Sequence, residues 1–208
     1  RCSKFVPASG AATRMFQDLT AALGGAARPS ESASARQFFE RLDAFPFVDA
    51  LRELAGIDES AFTESDERRL LRTLLETMRY AELPKGLIPF HRNAGVRTAF
   101  EDQLLEGARY TRAADGRCRM HFTVAPRFRS DFEALLAAVR SHVETRHACT
   151  LAVGFSEQHA STDTLAIDAH GEPFRLSSGD LLFRPAGHGA LLENLQALEG
   201  DLVVVKNI

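Results

Sequence analysis

The chain has 208 residues, 45% hydrophobic and 25% charged, enough apolar material for one sizeable domain or a domain with a smaller appendage. A net charge of −3 gives no general attraction to nucleic acid or an anionic membrane, and no apolar run approaches the roughly 20 residues of a membrane span. Three scattered cysteines, Cys2, Cys118 and Cys149, are too few for a disulfide framework or a zinc site and fit reduced thiols in a cytoplasmic protein.

The ends, Arg1 where Met is usual and an apolar run up to Ile208, are those expected of a piece of a longer protein, and no signal peptide is visible. Lys4 to Val6 reads as a strand, and Pro7 to Ala12 as a loop of small residues. Thr13-Arg14 open a helical pattern through Met15, Phe16, Leu19, Ala22 and Leu23 that stops at Gly24-Gly25. Strand, bare loop and helix N-terminus together suit a phosphate, because peptide N–H groups and the positive end of the helix dipole face the anion. Small residues equally fill ordinary tight turns.

Residues 26 to 35 read as a mobile connection. Phe38, Phe39, Leu42 and Phe45 predict a short amphipathic helix, and Phe47, Val48, Leu51 and Leu54 another after Pro46. Ser65 before Asp66 and Glu67 predicts the start of a third, with Leu70, Leu71, Leu74, Leu75 and Met78 on one face. Residues 34 to 82 are therefore expected to be an all-helical insertion.

A turn at Pro84-Lys85-Gly86 runs into a short strand near His91, and helical spacing returns at Phe100, Leu104, Leu105 and Ala108. Residues 119 to 125 alternate like a strand, 132 to 143 are amphipathic, and 149 to 155 form a buried-type strand. The polar stretch 156 to 180 carries a hairpin-like turn at His170-Gly171, 181 to 184 a short strand, 189 to 198 a helix, and 202 to 205 a central strand. Strands alternating with helices predict an α/β layered fold with a mainly parallel sheet. Ligands of such sheets sit beyond the carboxyl ends of the strands, where the opening loop, Phe155-Ser156 and Lys206-Asn207 are expected to converge. No internal repeat is expected.

Lys85, fixed between Pro84 and Gly86, suits a phosphate oxygen as a compact point charge, and Arg14 beside the loop could neutralise phosphate too. Either could instead be a solvated surface cation. His188, flanked by Gly187 and Gly189 before a helix, would let a ligand approach the backbone, or simply marks a glycine-shaped turn. Gln158-His159 offer edges suited to a base, or satisfy loop backbone. The patterns G-x-x-x-x-G-K-[ST], G-x-G-x-x-G in the opening loop and G-x-S-x-G are absent, which disfavours an ordinary ATPase, a nicotinamide enzyme and a nucleophile-elbow hydrolase. His121, His142, His147 and His159 show no metal-ligand spacing.

Together these segments resemble the nucleotide-sugar pyrophosphorylases, the UDP-sugar branch most of all, and more closely an uncharacterised bacterial family of the same nucleotide-diphospho-sugar transferase superfamily. Ser9-Gly10-Ala11-Ala12-Thr13-Arg14 is similar to the opening loop G-G-x-G-T-R, Leu83-Pro84-Lys85-Gly86 to the P-K step, and Pro185-Ala186-Gly187-His188-Gly189 to the P-x-G-H-G turn. Val205-Lys206-Asn207-Ile208 resembles the strand that enters N-x-D-N. The order matches across nearly the whole chain. Ala11 and Ala12 stand where glycines are usual, a long stretch separates Arg14 from Lys85, and the metal-holding aspartate would follow Ile208.

The resemblance implies a GT-A-like, Rossmann-like fold over 1–208, with a mainly parallel sheet sandwiched by helices and with the 34–82 insertion. It implies that the phosphate of a sugar 1-phosphate attacks the α-phosphorus of a nucleoside triphosphate and releases pyrophosphate, with Mg²⁺ bridging oxygens. Arg14 and the loop 9–14 (Ser9, Gly10, Ala11, Ala12, Thr13) would hold the triphosphate and Lys85 would stabilise the reacting phosphates. Gln158 would read the base, and Gly187, His188 and Gly189 would border nucleoside or sugar. Neither nucleic acid nor a membrane is an expected partner. The two alanines and the displaced Pro-Lys step also fit a non-catalytic nucleotide or nucleotide-sugar binding domain. A glycosyltransferase suits Arg14 and Lys85 less, since they match a triphosphate better than a diphosphate sugar.

Overall fold

The computed structural model describes residues 1–58, 62–92, 95–184 and 188–208. In chain order it contains β1 (Cys2–Pro7), α1 (Gln17–Gly24), α2 (Ala33–Glu40), α3 (Val48–Ala55), α4 (Glu64–Arg72), β2 (His91–Arg92), β3 (Val96–Arg97), α5 (Ala99–Tyr110), β4 (Arg117–Thr123), α6 (Arg129–His147), β5 (Thr150–Ser156), β6 (Thr164–Leu165), β7 (Phe183–Arg184), α7 (Leu192–Gln196) and β8 (Leu202–Val205). The architecture is mixed α/β with a parallel core sheet, helices and a helical segment. Two compact units are formed, one of residues 1–8 and 105–207 and one of residues 9–104 with Ile208.

The first unit holds a four-stranded sheet in the order β5-β4-β1-β8, with every pairing parallel. The register joins Phe5 to His121 and to Val205, and Phe122 to Phe155. Strand order reverses between β1 and β8, because the chain steps outward from β1 through β4 to β5 and then returns to the other side of β1. The 202–205 run, read from sequence as a central strand, is therefore an edge, with Leu202 and Val205 more than half exposed. A short apolar run looks alike in both positions; strand order is a long-range property. One face of β4 carries Cys118, Met120 and Phe122, all buried. There Phe132 of α6 packs on Phe155 with ring centroids 6.4 Å apart. On α5, Gly107 lies so close that an added Cβ would fall 2.7 Å from the Met120 sulfur.

The second unit is helical. Its core joins Phe38, Leu51, Leu70, Leu74 and Tyr80 to Ala12, Phe16 and Leu19. This compact unit begins at Ser9, and α1 buries its apolar side in the same core as the helices of 34–82. Helix α4 starts two residues earlier than Ser65 suggested: Thr63 accepts the Asp66 N–H at 3.3 Å, and the Asp66 carboxylate takes the Thr63 N–H at 3.0 Å. That reciprocal box satisfies two helix-end donors. Thr98 and Glu101 repeat the device ahead of α5.

Glu67 on α4 is buried, with 3% exposure, and accepts Arg28 Nε at 2.8 Å and the Ser30 N–H at 3.0 Å. Burial pushes its pKa up, but the hydrogen bonds from Arg28 and Ser30 outweigh that and hold it below the ordinary value. With the folded pKa below the unfolded one, this stability is present above about pH 4.3 and is lost as pH falls through the folded value. Urea unfolding of Glu67→Gln should therefore show a lower midpoint than wild type at pH 7, with the gap closing below about pH 4. A gap of constant size would remove the charge pair as its cause.

Residues 164–184 form a small antiparallel sheet within the first unit. Strand β6 pairs with β7, and bridges join Ile167 to Pro173 and Arg175 to Leu181. The Ala166 N–H donates to Leu182 O at 2.8 Å, the Phe174 N–H to Ala166 O at 2.8 Å, and the Leu182 N–H to Phe174 O at 3.0 Å. Ala166, Phe174 and Leu182 follow one another at intervals of eight residues, so the segment consists of repeated units, 164–171, 172–179 and one starting at 180, around a ring of three hydrogen bonds. This corrects the expectation of no internal repeat. Turns at Gly171 (φ 86°) and Gly179 (φ 90°), left-handed positions that favour glycine, end the first two units.

Candidate functional site

The opening loop and the Pro-Lys step meet within the helical unit. After α4 the chain makes a wider π turn over Thr73–Thr77, and Arg79 takes a left-handed conformation (φ 59°). Its carbonyl accepts the N–H groups of Glu82 at 2.9 Å and Leu83 at 3.0 Å, which reverses the chain. Residues 81–85 then run beside 10–13. The Ala12 N–H donates to Leu83 O at 3.0 Å, the Lys85 N–H to Gly10 O at 3.0 Å, and Thr13 Oγ1 to Ala81 O at 3.0 Å. An antiparallel bridge links Ala11 to Pro84. Lys85 is thereby fixed opposite Gly10, although 74 residues lie between Gly10 and Lys85.

This stitching also alters the reading of the loop. Helix α1 starts at Gln17, after a turn through 12–15, so Thr13 and Arg14 lie before it. The Ala12 N–H and the Thr13 hydroxyl are spent on the 81–83 carbonyls and are not free for an anion. What remains open is the backbone at Gly10, where an added Cβ would meet nothing within 4 Å, together with exposed Ala11 and Arg14 and half-buried Ser9 and Lys85. Among the described residues neither Arg14 nor Lys85 has an ion-pair partner.

In the sheet unit the carboxyl ends of the strands lie side by side: the Ala8 N–H donates to Thr123 O, the Val124 N–H to Ser156 O, and the Lys206 N–H to Phe5 O. Gln158 follows β5 and donates from Nε2 to Asp163 Oδ1 at 3.1 Å. Its loop is tied to the 188–194 segment, with Thr162 Oγ1 on Ala190 O at 3.0 Å and His159 Nδ1 3.5 Å from Glu193. Gly189 is exposed in a 3₁₀ turn that begins at His188. Gly187 lies outside the described residues. Gln158 and Gly189 thus belong to neighbouring segments of one unit, Arg14 and Lys85 to the other.

Sequence reasoning missed two polar groupings in the sheet unit. Ser156 Oγ, at the end of β5, lies 2.8 Å from His121 Nε2 and accepts Asn194 Nδ2 at 2.8 Å. Asn194 is buried and also donates to Glu157 O, while its Oδ1 has no hydrogen-bond partner among the described residues. Burial lowers the His121 pKa, which keeps the imidazole neutral near neutral pH. Second, the Glu106 carboxylate on α5 bridges Lys4 and Lys206, each at 2.7 Å, beside the strand reversal. Nothing local marked Asn194, one of three polar residues in the five-residue α7, or Lys4.

Cys118 is buried, and burial pushes its thiol up to about 11, so it is not a ready nucleophile. Among the described residues no group of three or more His, Cys, Asp or Glu side chains is placed to hold a metal ion. No described helix is long and apolar enough to cross a membrane. No curated protein and no solved structure matches the chain. The match that does cover it runs over residues 1–208, and by it the chain belongs to the family described as Domain of unknown function (DUF4301).

Proposed function

We propose that this protein is a sugar-1-phosphate nucleotidyltransferase with a GT-A-like fold. An oxygen of the sugar 1-phosphate bonds to the α-phosphorus of a nucleoside triphosphate as the bond to the β-phosphate oxygen breaks, giving a nucleotide sugar and pyrophosphate. The single observation that carries the reading is the hydrogen-bonded pairing of Gly10 and Lys85. It fixes the main chain of Lys85 beside the exposed loop at Gly10 despite the long intervening segment. Both reactants are anions, so the work is positioning and neutralisation of charge. Arg14 and the open backbone at 9–11 would hold the triphosphate, and Lys85 would stabilise charge on the reacting phosphates. The order β5-β4-β1-β8 supports it too, because the reversal falls at the end of β1, where open parallel sheets bind ligands. Among the described residues no group of three or more His, Cys, Asp or Glu side chains is placed to hold the ion.

A second reading, a non-catalytic nucleotide or nucleotide-sugar binding domain, is favoured by the committed Ala12 N–H and Thr13 hydroxyl. Pyrophosphate release decides between them. The protein would be incubated with each nucleoside triphosphate and a panel of sugar 1-phosphates, with Mg²⁺ and with chelator. Release with one pair is the expected result, and the two metal arms show whether Mg²⁺ takes part. Saturable binding of a nucleotide sugar without release would support the binding domain instead.

A further inference from the structure

The sheet unit has a second concave surface, away from the carboxyl ends of its strands. It is a groove of about 540 Å³ over the amino-terminal half of the sheet, lined by Ser3, Arg117, Arg119, His121, Gly154 and Glu199 among others. Parallel strands are ordinarily apolar on both faces, since layers of structure cover both. Strand β4 departs from this: one face carries buried Cys118, Met120 and Phe122, the other Arg117, Arg119 and His121. An apolar covering layer would bury the Arg117 guanidinium against a surface that offers it no acceptor.

Three details make the groove more than a polar surface. Ser3, which lines the groove, is 6% exposed, and among the described residues its Oγ has no hydrogen-bond partner. A buried hydroxyl left unpaired costs free energy that a ligand can recover. His121 is held flat against Phe5, with ring centroids 6.0 Å apart, and fits only because residue 154 is glycine: an added Cβ would sit 2.9 Å from Nδ1. Arg119 is kept in place by Asp115 at 2.9 Å, and the opposing Glu199 is engaged by Arg1 at 3.1 Å. Arg117 is exposed at the rim.

The geometry points to a second binding site in this groove, for a small dianionic oxyanion such as a phosphate ester or a dicarboxylate, held by Arg117 and Arg119 with the Ser3 hydroxyl and His121 as hydrogen-bonding partners. Guanidinium forks match either anion, because both present two oxygens in a plane. The site is independent of the proposed transferase reading, since it uses none of the loop 9–14, Lys85 or Gln158.

Titrating inorganic phosphate and, separately, malonate into the ¹⁵N-labelled protein tests it. Saturable shifts are expected at the Arg119, His121 and Gly154 amides at millimolar concentration or below. Phosphate alone would identify a phosphate ester as the class, malonate alone a dicarboxylate, and both the shared oxyanion. Arg119→Gln, and Arg117→Ala at an exposed position that should not disturb folding, should each weaken binding about tenfold. The inference is overturned if neither probe saturates by about 20 mM, or if affinity is unchanged in both variants. Shifts confined to Gly10, Arg14 and Lys85 would also overturn it while supporting the transferase reading.

Discussion

Replacing Glu106 by alanine is expected to destabilise the protein by about 2–3 kcal/mol, less than a fully buried ion pair broken from one side, because the Glu106 side chain is itself 35% exposed. Lys4 is the reason. Its side chain has no exposure, whereas Lys206, the other cation on this carboxylate, is about half exposed and can turn to water. Burial lowers the Lys4 pKa, and the hydrogen bond and charge of Glu106 pull it back upward. Without the carboxylate it falls further. A lysine whose folded pKa lies below its unfolded one makes stability rise with pH, between the folded value and about 10.4. The urea midpoint of Glu106→Ala should therefore recover in part between pH 7 and about 9.5, by more than wild type gains. Adding Lys4→Met should restore much of the loss at pH 7, because no buried charge then remains. A loss under about 1 kcal/mol with no recovery at high pH would refute the role given to Glu106.

Lys85→Ala should lower the turnover rate for pyrophosphate release by roughly 10²–10³, the effect of removing one fixed donor to transition-state charge. The melting temperature should stay near wild type, since the side chain is half-buried without an ion-pair partner among the described residues. Lys85→Arg should rescue poorly, because the planar guanidinium does not replace a compact ammonium held at a turn. Arg14→Ala should act more on KM, as expected of a group that binds ground state and transition state alike. If kcat is the same for Lys85→Ala and wild type, Lys85 leaves the mechanism while the reaction itself stands.

What the sequence could and could not reveal follows from the range of the interactions. Strand β4 and helices α5 and α6 were legible because each carries its own period of burial, two or 3.6 residues, and β5 because it is a short apolar run. Helix starts shifted because capping is reciprocal: Thr63 wins over Ser65 because Asp66 can answer it three residues on. Strand order was not legible, which is how β8 passed for a central strand. The buried Lys4 was equally hidden, since the carboxylate that permits it stands 102 residues away on α5. At the candidate site, residue types were visible while their engagements were not. Nothing near Ala12 or Thr13 announces that the 81–83 carbonyls claim them. The eight-residue spacing of Gly171 and Gly179 was readable, but the strands between them share too little composition to declare a repeat.

That spacing has a consequence for how the chain can change. In an open meander each strand bonds to a neighbour, and a further strand can be added at the edge. Here Ala166 leans on Leu182, Phe174 on Ala166, and Leu182 on Phe174, so the last bond returns to the first strand. The number three is part of the construction. Taking out one eight-residue block leaves a donor and an acceptor facing each other across a gap, and inserting a block pries the ring apart. This stretch should accept substitutions at its exposed positions, Ile167 and Phe183 among them, far more readily than any change in its length.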